Sequence, residues 1–338
     1  MIHHNALSLH RLDRPKRVIV ALVFLIPVTL GLSVSIGSVD VDWSDLARAW
    51  RAGETTLAST VVFELRLPRA LSALLIGASL ALAGVLMQVL LRNPLADPYV
   101  LGTSGGAAVF ALAVMVAGLS NHWVPLAATV GAGVSMGLLM MLARSPSDWG
   151  SSRLLLTGIV LASGWGALIS FTLSIGEARQ LQGMLFWLMG DLAAETPGPT
   201  RVVIFTAVLI FALIASRDLD LLAGGELRAR SLGLNTSGLR VVILIGASLL
   251  TAAAVTLSGP IGFIGLVVPH MMRLMVGADH RHLIPASVLA GGALLVLAEM
   301  IARTLIAPQQ LPVGVITAFI GVPVFLYLLK RGATGRAE

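Results

Sequence analysis

The chain has 338 residues, of which 57% are hydrophobic and only 12% are charged, and its formal net charge is +6. Because soluble globular domains carry about 25% charged residues, this composition excludes a soluble protein of this length. The sequence contains no cysteine, which excludes disulfides, thiolate metal sites and cysteine nucleophiles.

Long apolar runs fill most of the chain, and they predict membrane-spanning helices. A span needs about 20 apolar residues, and the runs lack the alternation of barrel strands. We therefore expect an all-α polytopic membrane protein. Divided at turn signals, the runs predict ten helices, at about 17–37, 69–91, 99–118, 123–143, 153–175, 200–216, 238–258, 267–278, 283–303 and 312–331.

The basic residues predict the orientation. Their positions beside apolar runs follow the positive-inside rule, so they do not indicate nucleic-acid binding. The predicted inner segments hold 16 of the 23 Lys and Arg residues, and both termini are expected in the cytoplasm. The predicted division is a cytoplasmic tail (1–16), a transmembrane domain (17–331) with a cytoplasmic loop (217–237), and a second cytoplasmic tail (332–338).

Four connections and helix ends carry further signals. Residues 177–192 predict a short surface helix. The loop at 217–237 predicts a helix-turn-helix, in which Gly224, Gly225 and Gly233 end short helices and Glu226 pairs with Arg230 four residues later; its pattern fits either a docking surface or a solvated connector. Apolar, glycine-rich residues 259–265 predict irregular backbone buried against helices. Glu299 and Arg303 predict a structural ion pair.

No motif for chemistry is visible. The phosphate-binding loop of ATPases ends in Gly-Lys-Ser or Gly-Lys-Thr, but Lys16 and Lys330 are the only lysines, and neither follows a glycine. We therefore expect neither an enzyme nor a bound cofactor or metal. His270 follows Pro269 at a predicted helix start and is expected to be a packing residue. An ion-coupled secondary transporter and a non-transporting scaffold remain alternatives.

Ordered motifs between residues 60 and 330 resemble the permease family of iron-chelate (siderophore or haem) and cobalamin ABC importers. The matching strings are 65–69 (LRLPR), 92–98 (RNPLADP), 101–107 (LGTSGGA), 153–158 (RLLLTG), 187–190 (WLMG), 229–234 (ARSLGL), 259–270 (GPIGFIGLVVPH) and 312–317 (PVGVIT). The resemblance implies the type II importer permease fold in a bacterial inner membrane. It also implies alternating-access import of a bulky metal chelate, with haem or a ferric siderophore favoured and cobalamin as the alternative.

The resemblance further implies partners and site residues. The partners are a second copy of the chain, two ATPase subunits that bind ATP and Mg²⁺, and a periplasmic solute-binding protein. Arg66, Arg69 and Arg303 match arginines that receive acidic residues of the binding protein, a task suited to the guanidinium fork. The cytoplasmic gate matches Asn93, Leu95, Ser151 and Ser152. The ATPase-coupling positions are Leu219, Gly224, Gly225, Glu226, Arg228, Arg230, Gly233 and Leu234.

Overall fold

A computed structural model describes residues 3–37, 41, 44, 56–143, 151–192 and 197–334. Within these residues the regular structure is entirely helical. Six helices are long and apolar enough to cross a membrane, a seventh span is a pair bent by 68°, and three further apolar helices are shorter. These ten correspond one by one to the ten predicted spans, so the predicted all-α polytopic architecture is confirmed.

The helices follow one another with short connections. The α-helices are α1 (His3–Ser35), α2 (Leu57–Thr60), α3 (Leu67–Leu90), α4 (Thr103–Val116), α5 (Val124–Ala143), α6 (Ser151–Ile175), α7 (Ala178–Met189), α8 (Pro199–Ile214), α9 (Ser216–Ala223), α10 (Glu226–Ser231), α11 (Thr236–Ser258), α12 (Ile264–Val276), α13 (His280–Thr304) and α14 (Val313–Thr334). A π-helical turn (Val61–Arg66) joins α2 to α3. One 3₁₀ turn (Pro98–Leu101) precedes α4, and another (Asn121–Trp123) precedes α5.

Helix α3 lies at the centre of the bundle. Nearly all of its residues from Ile76 to Leu90 are buried, and it packs against α11, α12 and α13. Its glycines allow the backbones to approach: a methyl group at Gly77 would overlap the carbonyl oxygen of Gly291 on α13, and one at Gly84 would overlap that of Gly265 on α12. Small residues at helix contacts are the usual basis of packing in membranes, where apolar burial gives little drive.

Several helices begin earlier than the approximate predicted starts, most of all in the first two spans. Helix α1 begins at His3 rather than 17, inside the predicted tail, and the second span begins at Leu57 rather than 69 through the π-helical turn. Helix α12 begins at Ile264 rather than 267, which places Pro269 inside the helix. Proline has no N–H for the helical bond to the carbonyl of Gly265, and that carbonyl lies against Gly84 of α3.

The predicted short helix at 177–192 is confirmed, and the predicted irregular segment (259–265) is confirmed for residues 259–263, because residues 264 and 265 belong to α12. Helix α7 ends at Gly190, with φ 78°. Within the irregular segment the hydroxyl of Tyr99 bonds both the carbonyl (3.0 Å) and the N–H (2.9 Å) of Ile261, which is the internal pairing that burial in a membrane requires. Beside it, the N–H of Asp191 donates to the carbonyl of Ser258 at the end of α11 (2.8 Å).

Candidate functional site

Helices α9 and α10 form the predicted helix-turn-helix, which we call the coupling segment (residues 216–234). Gly225 and Gly233 adopt positive φ angles, 120° and 83°, and the left-handed backbone favours glycine at both positions. Gly224 is right-handed, so only one residue of the glycine pair makes the predicted turn. Leu219 is fully buried, whereas Leu227 is 85% exposed. The segment thus fixes one apolar face in the bundle and presents the other to its surroundings.

The carboxylate of Glu226 joins α10 to α11. Its predicted pairing with Arg230 is confirmed, with Oε1 2.6 Å from Nη2, and its second oxygen lies 3.0 Å from Nη2 of Arg240. The side chain of Arg230 is half exposed, and ion pairs with an exposed partner contribute little to the stability of the fold. Arg240 is only 2% exposed, and a buried charge depends on its partner. Sequence reasoning missed Arg240 because a single arginine at the edge of an apolar run looks like an interfacial residue.

The remaining coupling positions divide between the core and the surface. The side chain of Arg228 is exposed, and Leu234 packs against the core beside α11. A cleft of about 480 Å³ separates the coupling segment from Arg92. The coupling segment therefore exposes both arginine and leucine side chains on its outer surface, and it packs Leu219 into the bundle on its inner face.

The inner face of the coupling segment is bound to the start of α13. Oδ1 of Asp220 accepts the backbone N–H of His280 (3.1 Å) and lies 2.5 Å from Nδ1 of the same residue. His280 is fully buried. Asp279 caps α13 through Arg281 N–H; partial burial acts to raise the pKa of Asp279, but the N–H and guanidinium of Arg281 bring that pKa below its usual value. No local pattern predicts this pairing, because the two residues are 60 positions apart.

The predicted gate positions follow α3. Asn93 is exposed, and its Oδ1 accepts the N–H of Leu95 (3.0 Å), which closes a tight turn after Arg92 with φ 48°. Ser151 and Ser152 are the first residues of α6, and their side chains lie outside the described residues. The gate assignment stays a prediction.

Two of the three predicted docking arginines bind the end of α1. Nη1 of Arg66 donates to the carbonyls of Val34 and Ser35 (both 2.9 Å), and Nη2 of Arg303 donates to the carbonyl of Ser33 (2.8 Å). Both arginines are buried. The last carbonyls of a helix have no partner within it, and cations there are favoured by the helix dipole. Within this chain, these two arginines therefore cap α1.

Arg69 differs from the other two. It is half-buried, and its Nη1 donates to Oε1 of Gln310 (3.0 Å) at the surface. The predicted ion pair of Glu299 with Arg303 is confirmed, with Oε1 and Nε 3.2 Å apart. A docking role for any of the three remains a prediction, and Arg69 is the one with the most accessible guanidinium.

The coupling segment and the arginine cluster lie at opposite ends of α13. His280 begins that helix and Arg303 lies 23 residues further on, which corresponds to about 35 Å at 1.5 Å per residue. This distance is close to the thickness of a bilayer with part of its interface. Among the described residues, no group of three or more His, Asp or Glu side chains could hold a metal ion.

The sequence of the chain is similar to those of known transport proteins. The model of the FecCD transport family matches residues 24–331. The Fe(3+) dicitrate transport system permease protein FecD of Escherichia coli (strain K12) is 40% identical, covering 92% of this chain and 99% of that protein. The hemin transport system permease protein HmuU of Yersinia pestis is 38% identical, covering 92% and 94%.

Two further comparisons extend the similarity. The vitamin B12 import system permease protein BtuC of Escherichia coli O6:H1 is 39% identical, covering 80% of this chain and 83% of that protein. A solved structure described as a metal-chelate type ABC transporter in an inward-facing conformation superposes with a TM-score of 0.80 at 29% identity, covering 94% of this chain and 99% of that one.

Proposed function

Because the chain belongs to the FecCD transport family, we propose that it is the membrane-spanning permease subunit of an ATP-binding-cassette importer for a metal chelate. The observation that carries this proposal is similarity over nearly the whole chain to permeases named for ferric citrate, haemin and vitamin B12 transport. Localisation in the bacterial inner membrane with both termini in the cytoplasm completes the proposal.

The two ends of the helical bundle bind different partners in this proposal. A solute-binding protein delivers the chelate at the end that carries Arg69, and ATPase subunits dock on the coupling segment at the other end. The two ends are about 35 Å apart along α13, so no side chain serves both. ATP-driven closure of the ATPase pair therefore moves the helices that border the pathway, and the chelate passes through an alternating cavity.

Hydrolysis takes place in the partner, because this sequence has no glycine-lysine phosphate loop. ATP and Mg²⁺ accordingly belong to the ATPase subunits. A second copy of the chain completes the pathway in our proposal. It is supported by the resemblance to the importer family, and the apolar cavity of about 610 Å³ between α7 and α14 is one surface that a second copy could cover.

We favour an iron chelate, haem or a ferric siderophore, and cobalamin is the alternative. The three relatives are equally distant, at 38% to 40% identity, so overall similarity does not rank their substrates. The permease reconstituted in liposomes with its ATPase should hydrolyse ATP faster when binding protein loaded with the correct chelate is added. Ferric citrate, haem and cobalamin would each be tested, with unloaded binding protein as the control.

The same experiment distinguishes the proposed ATP-driven importer from an ion-coupled secondary transporter. Uptake that persists without any ATPase subunit and follows an ion gradient would contradict the proposal and support an ion-coupled carrier. The expected result is uptake that requires both ATP and the ATPase.

Arg69→Glu is expected to abolish stimulation by the binding protein. The guanidinium of Arg69 donates to Gln310 at the surface through Nη1, and reversing its charge repels an acidic partner. The measurement is ATP hydrolysis against binding-protein concentration, together with the unfolding temperature in detergent. Arg69 also lies close enough to the buried Glu299 to interact with it electrostatically, so the variant should lose some stability; Arg303→Glu is expected to lower the unfolding temperature further, because it removes a cap of α1.

Arg179→Glu is the control, since it makes the same charge change at an exposed position on α7. Stimulation that survives in Arg69→Glu would contradict the docking role, and an equal loss in Arg179→Glu would show a general effect of charge.

A further inference from the structure

The turn that follows α3 holds an arginine where a glycine would be the usual residue. The N–H of Arg92 donates to the carbonyl of Val89 (3.2 Å), and the N–H of Asn93 donates to the carbonyl of Gln88 (3.1 Å). Many helices end in this pair of bonds, with glycine in the left-handed position. Arg92 takes that position with φ 48°, a conformation that residues other than glycine rarely adopt. A strained backbone retained at one residue indicates a task for its side chain.

Arg92 lies across a cleft of about 480 Å³ from the coupling segment. Arg92 and Arg228, on opposite sides of this cleft, are both exposed. The described residues that line the cleft include three arginines but only one carboxylate, that of Glu226. That carboxylate is already bound, by Arg230 (2.6 Å) and by Arg240 (3.0 Å). The cleft therefore carries an excess of positive charge, and Arg92 and Arg228 are accessible to a negatively charged partner.

We propose that this cleft binds an acidic segment of the ATPase subunit, with its carboxylates between Arg92 and Arg228. This role of the cleft rests on the proposed function and adds the chemistry of the docking site. A guanidinium group binds a carboxylate through two parallel hydrogen bonds, so two exposed arginines can hold one acidic segment. Leu227 lines the same cleft and is 85% exposed. An apolar side chain beside arginines is typical of protein interfaces, which favours a protein segment over a lipid headgroup.

The position of the cleft gives its occupant a direct route to the predicted gate. Arg92 precedes Asn93, whose Oδ1 accepts the N–H of Leu95 (3.0 Å) in the same turn. The opposite wall is part of the coupling segment, which Leu219 anchors in the bundle. A segment of the ATPase that binds both walls therefore moves the turn together with the coupling segment when the ATPase subunits close.

Arg92→Gly is expected to weaken binding of the ATPase without destabilising the permease. Glycine adopts the left-handed conformation without strain, so the unfolding temperature in detergent should equal or exceed that of wild type. Loss of the guanidinium removes one side of a charge-assisted contact, and the dissociation constant for purified ATPase should rise about tenfold. A role of the Arg92 side chain in packing alone would lower stability and affinity together.

Arg228→Ala tests the opposite wall, and Arg217→Ala is its matched control. Arg217 is an exposed arginine on α9 outside the cleft, so its loss removes the same charge from the coupling segment. The dissociation constant should rise about tenfold in Arg228→Ala and stay unchanged in Arg217→Ala. Because both arginines hold one segment, the double variant of Arg92→Gly with Arg228→Ala should lose less affinity than the two single losses combined.

Wild-type affinity in folded Arg92→Gly or Arg228→Ala, while Leu227→Asp binds the ATPase more weakly, overturns the acidic site and leaves the proposed function intact. An equal loss of affinity in Arg217→Ala also overturns it, because the attraction would then come from positive charge in general. Variants that bind the ATPase normally but lose bound phosphatidylglycerol would assign the cleft to a lipid headgroup and contradict the proposal. A wild-type permease that binds no ATPase overturns the proposed function and the acidic site together.

Discussion

Gly84→Leu is expected to prevent folding of the bundle. A Cβ atom at Gly84 would overlap the carbonyl oxygen of Gly265, and Gly265 is itself closely packed, since a Cβ there would lie 2.7 Å from the ring of Pro98 and 2.9 Å from the carbonyl oxygen of Leu80 on α3. Overpacking against movable side chains costs about 1–3 kcal/mol, and here the obstacle is backbone. The variant should give no monodisperse protein on size-exclusion chromatography in detergent, and Gly84→Ala should fold with a lowered unfolding temperature.

Gly137→Ala is the matched control on α5, because a Cβ there meets nothing within 4 Å. Its unfolding temperature should equal that of wild type or exceed it, since alanine is the better helix former. A Gly84→Leu variant that elutes as a single folded species would show that α3 and α12 separate at little cost, contrary to the packing described above.

The number of spans and the coupling segment could be predicted because both depend on local patterns. Apolar runs of sufficient length specify helices in lipid whatever their neighbours, and the positions of Gly225 and Gly233 indicate turns in their own right. The same locality explains the errors at helix starts. Pro269 is a local stop signal, but α12 passes through it, and the packing of α12 against α3 at Gly265 and Gly84 is not visible in a local pattern.

The candidate site was less predictable, because its contacts join distant parts of the chain. The guanidinium of Arg303 reaches Ser33 across 270 positions, and Asp220 reaches His280 across 60. Resemblance to the family selected Arg66 and Arg303, but their burial and their bonds to α1 could not be read from the sequence. These contacts change what a substitution there would mean, because loss of function at Arg66 or Arg303 would follow from a loosened first helix even without a docking role.

Leu227→Asp is expected to weaken binding of the ATPase subunits by at least about tenfold. The side chain is 85% exposed on α10, and only a partner can bury it. Burial of a leucine side chain against the ATPase contributes about 1.5–3 kcal/mol to binding, and 1.4 kcal/mol corresponds to a factor of ten in the dissociation constant. An aspartate at this position would also bury an unpaired charge in the interface. The measurement is the dissociation constant of the detergent-solubilised permease for purified ATPase.

Leu119→Asp is the control for this substitution. Leu119 is 54% exposed in the connection between α4 and α5, at the end predicted to face the binding protein, so the same change there should leave ATPase affinity unaltered. Because α10 rests on Arg240 through Glu226 rather than on Leu227, the variant should retain its fold, and its unfolding temperature would verify this. An unchanged dissociation constant in folded Leu227→Asp would mean that the ATPase docks elsewhere and that α10 is a solvated connector.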